Sequence, residues 1–281
     1  MTTMTAKAHA LAGTRARSHG YAPVNGLRLY YEVEGTGDPL VFIHPALGLA
    51  GLESFPALVE RHMLITLDLQ GHGRTADIPD RDLSIEQYAR DVIGLLDHLG
   101  IPKADFFGES YGGNTAATIA VRYPDRVRRV ATFSATFAPP SVAHNPEMVR
   151  FDEPPTPHSR DTQFQRESYK EVAPDPDYWP RLWEKTARIE WSGFSREELA
   201  SIGAPMLIVV GDRDFVRVEH AVDAFRAIPG AELAVIPDAG HFTLYSEPER
   251  VIPIVQYFFE KPAGRRPVAT AGMGYRPGET R

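Results

Sequence analysis

Short apolar segments alternate with longer amphipathic segments along most of this chain. Residues 39–44 (PLVFIH) and 62–69 (HMLITLDL) are mainly apolar and brief, which is typical of strands buried on both faces of a sheet. Residues 83–100 (LSIEQYARDVIGLLDHLG) carry apolar side chains at helical spacing, with Ser84 as a candidate N-cap and Gly100 as a candidate stop. The alternation predicts an α/β fold with a mostly parallel sheet and helices on both faces.

Changes in composition divide the chain into a core, an insertion and two tails. Residues 136–200 interrupt the alternation, because they are dense in proline and hold all three tryptophans. We therefore expect an insertion there, and a core formed by residues 21–135 and 201–262. Residues 1–20 lack an acidic or apolar block, and residues 263–281 are rich in Pro, Gly and Arg. Both segments are predicted to be disordered tails.

The composition excludes several kinds of function. The 281 residues include no cysteine, so disulfides, thiolate metal sites and cysteine nucleophiles are ruled out. A net charge of −7 argues against a dedicated nucleic-acid surface. No apolar run approaches the roughly 20 residues that a membrane span needs. The lack of cysteine is compatible with a reducing compartment, and we expect a cytoplasmic protein.

A serine stands between two glycines directly after a predicted strand. The segment GESYG, residues 108–112, follows the predicted strand KADFFG and precedes a helix of small residues. Gly-x-Ser-x-Gly in this context is typical of a sharp strand-to-helix turn that projects the serine side chain from the carboxyl end of the strand. The alternative is a glycine-rich turn with an incidental serine. The context favours Ser110 as a nucleophile.

A nucleophilic hydroxyl needs a base, and the base needs an orienting group. His241 follows the predicted strand 231–237, and it is the one histidine after Ser110 that lies in a loop after a strand. Asp212 and Asp214 follow another predicted strand, and the order Ser, Asp, His is the one expected for this kind of turn. Asp214 is favoured as the acid because it lies farther along the loop, where the chain can turn towards His241. Asp212 stays the alternative.

Acyl transfer also requires donors for a tetrahedral oxyanion. We expect one donor to be the backbone N–H of Tyr111, the residue after the nucleophile. The second is expected in HPALG, residues 44–48. Pro45 has no N–H, so we assign this role to Ala46, whose small side chain leaves space for an acyl group.

The segments HPALG, DLQGHGRT, GESYGG, GDRD and AGHF resemble those of the α/β-hydrolase family in order and spacing. The resemblance covers about residues 25–262. It implies an eight-stranded, mostly parallel sheet and an inserted, mainly helical cap after the sixth strand. It also implies Ser110 as nucleophile, His241 as base and Asp214 as acid, with no metal or other cofactor. The family usually has His-Gly where this chain has His44-Pro45. Its Asp-x-x-Gly-x-Gly turn is matched by Asp68, Gly71 and Gly73, and we interpret this turn, with His72 in it, as scaffold.

The predicted cap is rich in aromatic residues. Trp179, Trp183 and Phe137 are candidates for the substrate pocket, although each of them could instead pack the cap onto the sheet. We expect a serine hydrolase that cleaves an ester, lactone or thioester of a small, partly apolar molecule, with a homodimer as the candidate assembly. Carbon–carbon hydrolases and cofactor-free perhydrolases keep the same three residues. Some members of the fold are ligand receptors, and epoxide hydrolases have an aspartate where Ser110 stands.

Overall fold

A computed structural model describes residues 17–49, 51, 55–148, 156–159 and 162–262. The strands are β1 Ser18–Val24, β2 Leu27–Glu34, β3 Asp38–Ile43, β4 His62–Leu67, β5 Ala104–Glu109, β6 Val127–Phe133, β7 Met206–Gly211 and β8 Glu232–Ile236. The α-helices in these ranges are α1 Pro56–Val59, α2 Ile85–Leu99, α3 Tyr111–Arg122, α4 Pro140–Ala143, α5 Gln163–Val172, α6 Trp179–Ala187, α7 Arg196–Ala200, α8 Val218–Ala227, α9 Thr243–Ser246 and α10 Pro248–Glu260. No helix among them combines the length and the apolar character that crossing a membrane requires.

All eight strands form one sheet in the order β1-β2-β4-β3-β5-β6-β7-β8. The pairs β1–β2 and β2–β4 are antiparallel, and every other neighbouring pair is parallel. The predicted mostly parallel, eight-stranded sheet is confirmed. Because the carboxyl ends of the parallel strands share one edge, the loops after β3, β5, β7 and β8 meet there.

Two clusters of buried apolar side chains lie on opposite faces of the sheet. Successive residues of a strand point to opposite faces, and on β5 Phe106 belongs to one cluster and Phe107 to the other. The Phe106 cluster includes residues of α2, α3 and α8, and it continues into the cap. The Phe107 cluster includes residues of α1, α9 and α10. The helices thus cover both faces, as the alternating pattern predicts.

Helix α2 begins and ends at the predicted signals. The Ser84 side chain accepts a hydrogen bond from the Gln87 N–H at 3.1 Å, which satisfies one of the unpaired donors at the helix start. Gly100 adopts a left-handed conformation with φ of 70°, which a residue without a Cβ adopts at little cost. The apolar face of α2, which includes Val92 and Leu96, packs into the core.

The predicted N-terminal tail is too long. Strand β1 begins at Ser18 and pairs antiparallel with β2 over its whole length, so residues 18–20 belong to the sheet. Asn25 and Gly26 connect the two strands with φ values of 47° and 84°, the geometry that favours two-residue hairpins. Residues 1–16 of the predicted tail, and all of the predicted tail 263–281, lie outside the described part of the chain.

The inserted segment lies between β6 and β7, where the cap is predicted, and it carries α4 to α7. An ion pair within hydrogen-bonding distance links it to the core, since Lys185 Nζ on α6 lies 2.6 Å from Asp77 Oδ2. Both side chains are almost fully buried. The same ammonium donates to the carbonyl oxygens of Ile78 and Arg81 at 3.1 and 2.8 Å. This full set of partners offsets the cost of burying the charge and holds the cap against the 77–81 loop.

Several buried histidines affect how stability depends on pH. Burial lowers the pKa of His72 to about 4 and that of His220 from 6.5 to about 4. Neutral His220 accepts a hydrogen bond at Nε2 from the Phe137 N–H at 2.9 Å, which joins α8 to the start of the cap. Between pH 6.5 and 4 the unfolded chain therefore binds a proton at position 220 that the folded chain does not. The free energy of unfolding falls as the pH drops through this window.

We predict that His220→Gln weakens this acid sensitivity. Glutamine can still accept the hydrogen bond from Phe137 but does not titrate. The loss of melting temperature between pH 6.5 and 4.5 should be smaller by a few degrees than in the parent protein. The control is His158→Gln, at an exposed position, measured by calorimetry at constant ionic strength. Parallel melting curves for the parent and His220→Gln would contradict the assignment of a neutral, buried imidazole.

Candidate active site

The backbone at Ser110 is strained as the Gly-x-Ser-x-Gly pattern predicts. Ser110 connects β5 to α3 with φ of 51° and ψ of −119°, a region that residues with a side chain rarely occupy. A Cβ at Gly108 would lie 2.2 Å from the Gly112 carbonyl oxygen, and one at Gly112 would lie 2.0 Å from the Ile43 carbonyl oxygen. The Ser110 N–H donates to the Phe133 carbonyl at 2.9 Å. Both glycines are thus required for the turn, and the neighbouring strand holds it.

Asp214 and His241 are brought together from the loops after β7 and β8. His241 Nδ1 lies 3.0 Å from Asp214 Oδ1, and the same carboxylate oxygen accepts the Val216 N–H at 2.9 Å. The other oxygen accepts a hydrogen bond from the Ser134 hydroxyl. The Asp214 side chain is fully buried, and these three donors compensate for its lost hydration. Since Nδ1 faces a carboxylate, the imidazole carries its proton there and leaves Nε2 free as an acceptor.

An aromatic ring covers one face of the His241 imidazole. Phe215, the residue after Asp214, stacks on it with ring centroids 4.1 Å apart and an interplanar angle of 29°. The Phe215 carbonyl accepts the Asn145 N–H at 2.7 Å, and the Arg217 N–H donates to the Ala143 carbonyl at 2.9 Å. The first segment of the cap therefore holds the loop that provides both the carboxylate and the stacking ring.

The loop after β3 is built around the carbonyl oxygen of Pro45. This oxygen accepts hydrogen bonds from His44 Nδ1 at 2.7 Å and from the Gly48 N–H at 3.1 Å. His44 Nε2 accepts the Leu69 N–H at 3.1 Å. Burial lowers the pKa of His44 to about 3, and nearby His72 acts in the same direction. A neutral His44 can satisfy both contacts, so it fixes the loop that presents Ala46.

The two predicted oxyanion donors lie at the ends of neighbouring parallel strands. Within the described ranges, no backbone carbonyl accepts the N–H of Ala46. Tyr111 is the first residue of α3, and the first N–H groups of a helix have no acceptor within the helix. Ile43 at the end of β3 precedes Ala46, and Gly108 near the end of β5 precedes Tyr111. These two strand residues are paired with each other in the sheet. Both N–H groups are therefore available at the same edge of the sheet as Ser110.

Two residues weighed in the sequence analysis lie apart from this arrangement. The Asp212 side chain is 38% exposed, and its nearest cation is Arg213 at 3.9 Å. His72 is buried and donates from Nδ1 to the Gln70 carbonyl at 2.9 Å. The hydrogen bond to His241 thus favours Asp214 over Asp212 as the acid, and the burial of His72 fits a scaffold role.

A buried carboxyl group directly precedes Ser110. Glu109 is fully buried at the end of β5. Burial raises the pKa of its carboxyl group well above the ordinary value, the nearby Tyr245 hydroxyl acts in the opposite direction, and the charge of Asp214 raises it further. Burial therefore favours the neutral form of Glu109, whereas the hydrogen-bonded carboxylate that faces His241 is that of Asp214.

A cavity of about 500 Å³ lies between the loop after β3, helix α5 of the cap and helix α9. Its lining consists of Pro45, Ala46, Leu47, Gly48, Leu49, Gly51, Phe164, Gln165, Ser168, Phe242, Tyr245 and Ser246. None of these described residues is charged. A second depression, lined in part by Gly100 and Pro102, lies near the amino end of β5, away from the sheet edge that carries Ser110.

The predicted pocket residues lie elsewhere in the cap. Trp179 and Phe137 are each only 1% exposed and belong to the large core cluster, and Trp183 packs against that cluster. None of the three lines the cavity beside Ala46. Their packing fits the alternative that these rings join the cap to the sheet. The aromatic wall of the cavity is instead formed by Phe164, Phe242 and Tyr245.

The sequence analysis missed several contributors to this site. Phe242 and Tyr245 follow His241 closely in the chain, and this proximity was a usable signal. Ser134 directly follows β6, at the carboxyl edge where polar residues serve function. The stacking of Phe215 on His241 depends on how two loops meet, so no local pattern could have revealed it.

Comparison with known proteins assigns the chain to a protein family. Residues 40–254 match the model of the Alpha/beta hydrolase family. The bifunctional epoxide hydrolase 2 of Mus musculus is 32% identical over 137 residues, 47% of this chain and 25% of that protein. The 2-hydroxymuconate semialdehyde hydrolase of Pseudomonas putida is 25% identical over 256 residues, 83% of this chain and 91% of that protein. A solved N-acyl homoserine lactone degrading enzyme is 26% identical, with a TM-score of 0.65 over 86% of this chain and 100% of its own.

The extent of these matches differs. The chain spans only about a quarter of the length of the epoxide hydrolase, whereas the family model matches most of the chain. Ser110, Asp214 and His241 all lie within the matched range. The chain belongs to the alpha/beta hydrolase family.

Proposed function

We propose that the protein is a serine hydrolase that cleaves a carboxylic ester or lactone through an acyl-enzyme on Ser110. The observation that carries the proposal is the hydrogen bond between His241 and buried Asp214, at the sheet edge to which the strained Ser110 turn belongs. A carboxylate-oriented imidazole and a projecting hydroxyl are the parts that activated serine nucleophiles use.

In the proposed mechanism, His241 Nε2 accepts the Ser110 hydroxyl proton as Oγ attacks the carbonyl carbon. The carbonyl electron pair moves to oxygen, where the N–H groups of Ala46 and Tyr111 stabilise it, each contributing about 3 kcal/mol. Collapse breaks the bond to the alcohol, which leaves with the proton from His241. Water then gives a proton to His241 and attacks the acyl group, which releases the acid and restores Ser110. Asp214 orients the imidazole and stabilises its cation.

The uncharged cavity supports a neutral substrate. Its lining is mostly apolar or aromatic, with Leu47, Phe164 and Phe242 among the residues, and no described lining residue provides a counter-ion. The likeness to a lactone-degrading enzyme supports an ester-type bond, since a lactone is a cyclic ester. Serine in place of the nucleophilic aspartate argues against epoxide opening despite the likeness to an epoxide hydrolase.

Carbon–carbon bond hydrolysis is the second candidate, because the chain resembles 2-hydroxymuconate semialdehyde hydrolase over 91% of that protein's length. The substrate in that name carries a carboxylate. The lack of a cation in the described cavity lining makes such an anion a poorer fit than a neutral ester. The two candidates share Ser110 and His241, so only substrates can separate them.

We predict that the protein hydrolyses p-nitrophenyl butyrate, and that Ser110→Ala lowers kcat by at least about 10³-fold without altering the circular dichroism spectrum. Ser201→Ala, at an exposed position, is the control and should keep parental kinetics. In the same panel, kcat/KM for 2-hydroxymuconate semialdehyde should be lower than for the ester. A parent protein that cleaves the semialdehyde but no ester, lactone or thioester would reject the proposal in favour of carbon–carbon hydrolysis.

We predict that Phe215 positions the base. Phe215→Leu removes the stacked ring, and kcat for p-nitrophenyl butyrate should fall about three- to tenfold, as expected for the loss of an aromatic pair, with KM almost unchanged. Phe215→Tyr keeps the ring and should keep most of the activity.

Phe242→Leu provides the contrast, since Phe242 lines the cavity and meets the imidazole only by its edge at 5.5 Å. This change should act mainly on KM. An increase in KM as the main effect of Phe215→Leu would assign that ring to substrate binding instead.

A further inference from the structure

Two exposed phenyl rings line the cavity beside Ala46 and contribute to neither core cluster. Phe164 and Phe242 are 78% and 58% exposed, and both line the cavity. Among the described residues, neither belongs to the two buried apolar clusters or to the partly buried side chains that pack against them. Single exposed apolar residues are ordinary on protein surfaces, whereas apolar surface gathered in one cavity is typical of a ligand site.

Helix α5 turns the face that carries Phe164 towards the cavity. Phe164 and Ser168 are four residues apart, so they lie on the same face of the helix, and both line the cavity. Tyr169 on this helix is buried and belongs to the large core cluster, which fixes the helix through another face. The Phe164 ring is therefore not needed to pack α5, and its apolar surface is free to contact a ligand.

The apolar lining begins next to the predicted oxyanion donor. Leu47 follows Ala46 directly and lines the same cavity. Its backbone has φ of 60°, a left-handed conformation that is uncommon for a residue with a side chain and that is often retained at functional sites. The lining of this cavity of about 500 Å³ thus joins Ala46, through Leu47, to the cap helix that carries Phe164.

We propose that Leu47, Phe164 and Phe242 form a subsite for an apolar chain of the substrate, and that Phe164 determines the preference for long chains. The substrate class is an ester whose acyl or alcohol part is an alkyl chain longer than four carbons. An uncharged chain matches a described lining without charged residues. This inference rests on the proposed ester hydrolysis and specifies which esters the site prefers.

The test compares esters that differ by four methylene groups. The acyl arm uses p-nitrophenyl octanoate against p-nitrophenyl butyrate, and the alcohol arm uses hexyl butyrate against ethyl butyrate, all below their solubility limits. A fully buried methylene group corresponds to about a fourfold gain in affinity. Because the cavity is open, we expect about half of this free energy, which gives a kcat/KM about tenfold higher for the longer ester in one arm. That arm identifies which side of the ester carries the chain.

Replacement of the Phe164 ring separates chain recognition from the chemistry. Phe164→Ala should remove most of the preference for the longer ester and leave kcat/KM for the shorter ester within about threefold. Phe164→Leu keeps an apolar side chain and should keep most of the preference. Phe225→Ala on α8 is the matched control, since Phe225 is 36% exposed and is not among the described residues that line the cavity. It should retain the parental preference.

Equal kcat/KM values for short and long esters in both arms would overturn the inference while ester hydrolysis stands. A preference that persists in Phe164→Ala, or an equal loss for short and long esters in that variant, would overturn it as well. Failure of the parent protein to cleave any of the four esters would overturn the proposed function and the inference together.

Discussion

The strained backbone of Ser110 is the constraint on which the site depends. A conformation of this kind costs about 1–3 kcal/mol, and it persists because the surrounding structure leaves no other path for the chain. Strand β5 is paired on both sides, and the Ser110 N–H is bonded to Phe133 on β6. Helix α3 approaches the sheet so closely that Gly108 and Gly112 have no room for a Cβ. The stability of the core thus maintains the turn that projects the hydroxyl.

Burial determines which groups near this turn carry charge. Asp214 has three hydrogen-bond donors that compensate for its buried carboxylate. Burial raises the pKa of the nearby Glu109 carboxyl group well above its ordinary value and so favours its neutral form. His44 is neutral as well, because burial lowers its pKa. The Asp214 carboxylate, whose side chain is fully buried, faces His241 and therefore stabilises an imidazolium more strongly than it would in bulk water.

Local patterns predicted much of the fold and which residues lie together in the candidate site, because the signals for them lie within a few residues. The Gly-x-Ser-x-Gly pattern predicted the turn at Ser110, and Ser84 and Gly100 predicted where α2 begins and ends. The β1 strand was missed although Asn25-Gly26 is a strong hairpin signal, since Gly20 and Pro23 weaken the strand pattern. The cap could not be predicted in detail. Whether an aromatic ring packs into the core or lines a cavity depends on contacts between segments that are distant in the sequence.

The most direct test of the account is the rate at which a fluorophosphonate labels Ser110, followed by mass spectrometry of the modified peptide. The reagent needs a nucleophile activated by its base but no particular substrate. The account predicts rapid labelling at Ser110 in the parent protein, labelling about 10⁴-fold slower in Asp214→Asn, and near-parental labelling in Asp212→Asn. Labelling at another residue, or a greater loss in Asp212→Asn than in Asp214→Asn, would contradict it.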